Sequence, residues 1–133
     1  MYHGIILDVQ FVDPLFPETL NYFAKKKSKI NPWTIYGVSI KAQDFERTVQ
    51  TIQKNMKLDK PYYAHFYREN ELMVVFKEKI FRVASHNATW TPVIDYGVKM
   101  GIPKEQLDFW PNRFQDEVHY FEKKDFVTPA PQK

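Results

Sequence analysis

Asp8 and His65 are the two residues of this sequence whose chemistry and strand positions suit an acid–base pair. A histidine titrates near neutral pH, and a carboxylate beside it can orient the ring. Both fall on the outward side of predicted strands, together with Gln10, Ser39, Lys41, Tyr63, Tyr67 and Arg82. In an enzyme built on that face, Lys41 would stand beside the pair, and Tyr67 and Arg82 would orient an anionic substrate. The plainer reading is a solvated sheet face, or one covered by the aromatic C-terminal segment, because antiparallel sheets commonly leave one face wet. The same residues also resemble a nucleic-acid platform. Tyr63, Tyr67 and Arg82 could stack unpaired bases, and Lys25-Lys26-Lys27-Ser28-Lys29 could meet phosphates. Against it stand Glu69, Glu71 and Glu78, and the absence of the basic–Gly–aromatic signature of RNA-binding sheets.

The four histidines, His3, His65, His86 and His119, lack the short spacing that preforms a metal site, so no metal is expected. With only 4 glycines and no glycine-rich phosphate loop, no cofactor is expected either. The chain has 133 residues and no cysteine, which excludes disulfides and thiolate chemistry and accords with a reducing cytoplasm. Leu, Ile, Val and Phe make up 37 of the 133 residues, enough for a self-standing core. The net charge is +3. The surplus lies in residues 1–60, with nine basic and six acidic side chains, whereas residues 61–133 carry ten of each. No apolar run approaches the ~18 residues of a membrane span, and the N-terminus has no signal-peptide pattern, so neither is expected.

The elements that must position these residues follow from periodicity. Residues 2–12 alternate, with His3, Ile5, Leu7, Val9 and Phe11 expected inward, which predicts a strand. Pro17 opens a short helix expected over Glu18 to Lys25. Trp33 to Lys41 reads as a second strand. Asp44 suits a helix cap, and Phe45, Val49, Ile52 and Met56 form the apolar stripe of the helix that follows. Residues 62–68, 72–77 and 80–84 predict a three-stranded meander. Thr91-Pro92 starts a second helix and Gly101 ends it. The expected architecture is therefore α+β: a mostly antiparallel five-stranded sheet with two main helices packed on one face. Residues 1–110 form one domain. Residues 111–127 are an aromatic and charged extension that packs on the domain or on a partner, and residues 128–133 are expected to be a disordered tail.

The stretch Pro61-Tyr62-Tyr63-Ala64-His65-Phe66-Tyr67-Arg68, continued by Glu71-Leu72-Met73-Val74-Val75-Phe76-Lys77 and Phe81-Arg82-Val83, resembles a family of short prokaryotic proteins of unassigned function. Tyr96-Gly97 and Gly101-Ile102-Pro103-Lys104-Glu105-Gln106-Leu107-Asp108-Phe109 extend the resemblance, which covers about residues 60–110. It implies a small cytoplasmic α+β domain encoded on its own and assigns no residue a role. Taken together, these features point first to a stand-alone binding domain, contacting a protein partner, a second copy of itself or single-stranded nucleic acid through the Tyr63/His65/Tyr67/Arg82 face. The alternative is a small enzyme using Asp8 and His65.

Overall fold

The computed structural model describes residues 1–127, so the tail expected over residues 128–133 lies outside the described residues. Six strands form one antiparallel sheet: β1 (Tyr2–Leu7), β2 (Tyr22–Lys27), β3 (Thr34–Ile40), β4 (Tyr63–Arg68), β5 (Glu71–Phe76) and β6 (Ile80–Ala84), in the order β2-β3-β1-β4-β5-β6. Three helices accompany them, α1 (Phe45–Asn55), α2 (Thr91–Met100) and the single turn α3 (Glu117–Tyr120). Among the described residues, no helix is long and apolar enough to cross a membrane.

The sixth strand is β2, where a helix was expected over Glu18 to Lys25. Its three lysines signal a sheet edge, since charged side chains on an outermost strand discourage pairing with other chains. Only Phe16–Thr19 is helical, as a short 3₁₀ turn. The Glu18 carboxylate accepts hydrogen bonds from Lys25 at 2.6 Å, Tyr36 at 2.5 Å and Tyr22 at 3.0 Å, tying that turn to β2 and β3. These bonds, the one from Lys25 foremost, hold its carboxyl at about 2.

β1 is shorter than its alternation suggested. It ends at Leu7, because the Asp8 carboxylate accepts the Thr34 N–H at 3.0 Å and the Gln10 side chain folds back to accept the Leu7 N–H at 3.2 Å. The remaining strands and α1 follow their sequence patterns closely, and Gly101 closes α2 with φ 103°. Asp44 stands at the N-cap of α1, but its carboxylate bonds Arg47 at 2.6 Å rather than a backbone donor.

The helices lie on opposite faces of the sheet, not on one. Tyr2, Ile6, Val38, Phe66, Met73 and Val75 pack with Phe45, Val49 and Ile52 of α1. The alternate residues Ile5, Ile35, Tyr67, Leu72 and Val74 pack with Val93 of α2 and with Ile102, Leu107, Phe109 and Phe121 of the C-terminal segment. Both faces are therefore buried, and the central strands lose the usual alternation of apolar and polar residues; β5, Leu72-Met73-Val74-Val75-Phe76, is buried throughout after its first residue. The aromatic C-terminal segment is part of this second core layer.

Gly4 marks the tightest point of the sheet centre. A Cβ there would fall 2.1 Å from Phe66 Cδ1 and 2.9 Å from the His65 carbonyl oxygen. Gly4→Ala should lower the midpoint of urea unfolding at unchanged slope, a loss of about 1–3 kcal/mol from overpacking.

Candidate functional site

β4 points three side chains, Tyr63, His65 and Tyr67, at the face covered by the C-terminal segment. Each has a polar tip that must find a partner once water is removed. Their partners succeed one another along the covering segment. The Tyr63 hydroxyl donates to the Gln106 carbonyl, His65 Nε2 lies 2.7 Å from the Pro111 carbonyl oxygen, and the Tyr67 hydroxyl donates to Glu117 Oε2 at 2.7 Å. His3 adds a second contact to that carboxylate, Nδ1 to Oε2 at 2.6 Å. Burial pushes both tyrosine hydroxyls well above their ordinary range, with the Glu117 charge adding to the effect at Tyr67.

His65 is 4 % exposed. A carbonyl oxygen only accepts, so Nε2 carries the hydrogen and Nδ1 keeps its lone pair. No protein donor meets that lone pair among the described residues. Desolvation lowers the imidazole to about 4, against a weaker opposing effect of the Pro111 bond. Such a ring is neutral at pH 7 and a poor proton acceptor, suited to accept a hydrogen bond rather than to shuttle protons.

Between the sheet and the segment lies a cavity of about 340 Å³. Its floor crosses three neighbouring strands: Ile35 of β3, Ile5 and Leu7 of β1, and His65 of β4. The register explains the grouping, since Ile5 pairs with His65 and Leu7 with Ile35. Aromatic rings wall it, Trp33 and Tyr62 on one flank and Trp110 and Tyr120 from the C-terminal segment, with Tyr63 between. Asp108 and Glu105 supply the carboxylates. The buried Gln10 amide also borders it, already engaged with Leu7 N–H and the Tyr63 carbonyl. The segment turns sharply here: Phe109 has φ 47° and Trp110-Pro111 is cis. The Phe109 ring is fully buried between Trp90, Tyr63 and His65, which fixes this uncommon backbone.

The residues singled out from sequence are thus only partly brought together. Tyr63 and His65 share the cavity. Tyr67, on the same strand face, is wholly buried and bonded to Glu117, so it offers no stacking surface. Arg82 pairs opposite Met73 and so belongs to the α1 side of the sheet. Lys41 is exposed just beyond β3, outside the cavity. Asp8 does not line the cavity and its carboxylate is engaged by Thr34 N–H, while His65 is oriented by Pro111 instead; the expected Asp8–His65 pair is not formed. Layers on both faces close the Tyr63/His65/Tyr67 side that one-sided packing would leave open, and strand parity carries Arg82 to the opposite side. Trp33, Tyr62, Asp108, Trp110 and Tyr120 become one site only in the folded chain. Their only sequence signal was the density of large aromatics at 110–121 and the Gln106-Leu107-Asp108-Phe109 stretch. Among the described residues, no group of three or more His, Asp or Glu side chains is placed to hold a metal ion.

Comparison with protein-family models, with curated proteins and with solved structures gives no match.

The His65 environment sets a pH dependence. Its folded value of about 4 lies below the ordinary 6.5, so the unfolded chain takes up the proton first as pH falls. The stabilisation is complete above about pH 6.5 and is lost toward pH 4, on the order of 3 kcal/mol over the window. Urea unfolding at pH 7 and pH 4.5 should show this loss, and His65→Gln should flatten the slope between them. An equal slope in the variant would assign the loss elsewhere.

Proposed function

We propose that this chain is a binding domain whose ligand is a small molecule held in the cavity over β1, β3 and β4. The single observation that carries this reading is the cavity itself. It has about 340 Å³, an apolar three-strand floor, aromatic walls and few polar groups, one of them a buried imidazole nitrogen without a protein partner. Those are the usual attributes of a small-ligand site, which measures about 300–1,000 Å³ and fixes orientation with a handful of polar atoms. The floor is rigid because its strands are paired on both sides and buried on both faces.

A second hollow, bordered by Lys57, Lys60, Phe76, Lys77, Tyr96 and Met100, is smaller at about 230 Å³ and is edged by exposed loop residues rather than by the sheet centre. The reading of a single-stranded nucleic-acid platform draws less support, since Tyr67 is buried and Arg82 lies on the other side of the sheet. Proton-transfer catalysis draws less as well, because His65 and Asp8 are engaged separately.

The test uses N-phenyl-1-naphthylamine, a neutral apolar dye that brightens when it leaves water, with the full-length chain. Saturable uptake of one dye per chain is expected. Leu7→Trp, at a half-buried position on the cavity floor, should abolish uptake while leaving the thermal midpoint within a few degrees of wild type. No saturable uptake, or uptake undiminished in a folded Leu7→Trp chain, overturns the reading.

A further inference from the structure

Fifteen residues line the cavity, and the only full charges among them at pH 7 are the carboxylates of Glu105 and Asp108. That balance runs against the chain as a whole, which carries a net +3. Five of the fifteen are aromatic: Trp33, Tyr62, Tyr63, Trp110 and Tyr120. Aromatic faces carry negative electrostatic potential, and a cation lying over them is attracted by each well-placed ring. The polar atoms free for a ligand include neutral donors, the Trp33 and Trp110 indole N–H groups and the Tyr62 and Tyr120 hydroxyls, but every charged one is an acceptor. Among the described residues His65 Nδ1 has no donor and neither Glu105 nor Asp108 enters an ion pair; the Asp108 carboxylate takes only backbone N–H groups, from Trp110 and its own residue. No lysine or arginine lines the cavity; Lys26, outside it, has its ammonium bonded to the Tyr120 carbonyl at 2.5 Å and 3.9 Å from that ring's centroid. That contact shows in the same fold that the Tyr120 ring accepts a cation.

From this juxtaposition we infer that the ligand of the cavity is a protonated organic amine with an apolar body, its ammonium taken by Asp108 and Glu105 among the aromatic walls and its apolar part resting on the Ile5/Leu7/Ile35 floor. The inference rests on the small-molecule reading above and narrows it to one charge class. An N–H of the ligand can reach for His65 Nδ1, which gives the amine an advantage over a cation without hydrogen. Asp108 supports the assignment: the surrounding wall withdraws water from its carboxylate and raises its pKa, a cost that a bound cation would reverse. A carboxylate or phosphate ligand would meet two like charges and no cationic partner. A neutral ligand of the same shape would leave the carboxylates unused.

Three probes of one shape separate the possibilities: phenethylamine (cationic at pH 7), 2-phenylethanol (neutral) and phenylacetate (anionic). Each is titrated against the full-length chain loaded with N-phenyl-1-naphthylamine and, separately, by calorimetry without the dye. Phenethylamine should displace the dye at least tenfold more effectively than 2-phenylethanol, and phenylacetate should not displace it. In the Asp108→Asn/Glu105→Gln variant the advantage of the amine over the alcohol should fall to threefold or less, with the alcohol unchanged. Dye uptake with no preference for the amine, or a preference that survives the double substitution, overturns the inference and leaves the cavity reading standing. Neither dye uptake nor heat with any of the three probes overturns both.

Discussion

The need to satisfy three polar tips on one strand face, those of His65 and Tyr67 buried and that of Tyr63 at the rim, organises the C-terminal third of the molecule. Tyr63, His65 and Tyr67 point from β4 into a layer closed by α2 and residues 102–126, where an unpartnered hydroxyl or imidazole N–H costs about 1–3 kcal/mol. The covering segment meets them in order, through the carbonyls of Gln106 and Pro111 and the carboxylate of Glu117. Since β-strand side chains on one face recur every second residue, three such anchors fix the segment along nearly the full length of β4. Apolar anchors complete the attachment: Leu107 and Phe109 beneath it and Phe121 at its end are all buried. At its far end, Phe126 bridges to Ala24 and the Val127 N–H bonds the Phe23 carbonyl, which covers the outer edge of β2.

The cavity follows from the same constraint. The segment is held to β4 and also touches β1 through Glu117 on His3, yet it leaves a cavity with Ile5, Leu7, Ile35, Trp110 and Tyr120 in its lining. His65 belongs to both systems, with one ring nitrogen spent on the Pro111 carbonyl and the other left over. Its burial keeps it neutral, so it contributes an acceptor and no charge. The charges come from the loop that carries Glu105 and Asp108. A basic chain thus encloses an acidic, aromatic-walled space at the middle of its sheet.

Much of the framework was readable from local pattern. α1 announced itself through Phe45, Val49, Ile52 and Met56, and all four are buried. The meander was legible from β-branched and aromatic runs although its first turn has no glycine; Glu69 takes the left-handed conformation itself, at φ 51°. What local pattern did not disclose was tertiary. The spacing of Leu20 and Phe23 imitates one turn of helix, whereas Tyr22 to Lys27 instead pairs with β3 as a lysine-rich edge. The alternation of β1 was read as one buried and one open face, yet Tyr2 and Ile6 are as buried as Ile5, because helices cover both sides. The continuous apolar run of β5 carried that information. The site suffered most from this, since its walls come from residues 33, 62, 105, 108, 110 and 120, separated in sequence and united only when the C-terminal segment docks.

The account stands on His65, at the lining of the cavity, being a neutral ring with Nε2–H on Pro111 and no protein donor on Nδ1 among the described residues, and the long-range ¹H–¹⁵N spectrum of the imidazoles observes that directly. With His65 identified by its absence in His65→Gln, the ring at pH 7 should show one protonated, pyrrole-type nitrogen and one bare, pyridine-type nitrogen. Titration with phenethylamine should move the bare nitrogen and leave the protonated one nearly in place. An imidazolium pattern at pH 7, or a bare nitrogen that does not respond while the amine binds, would contradict the account.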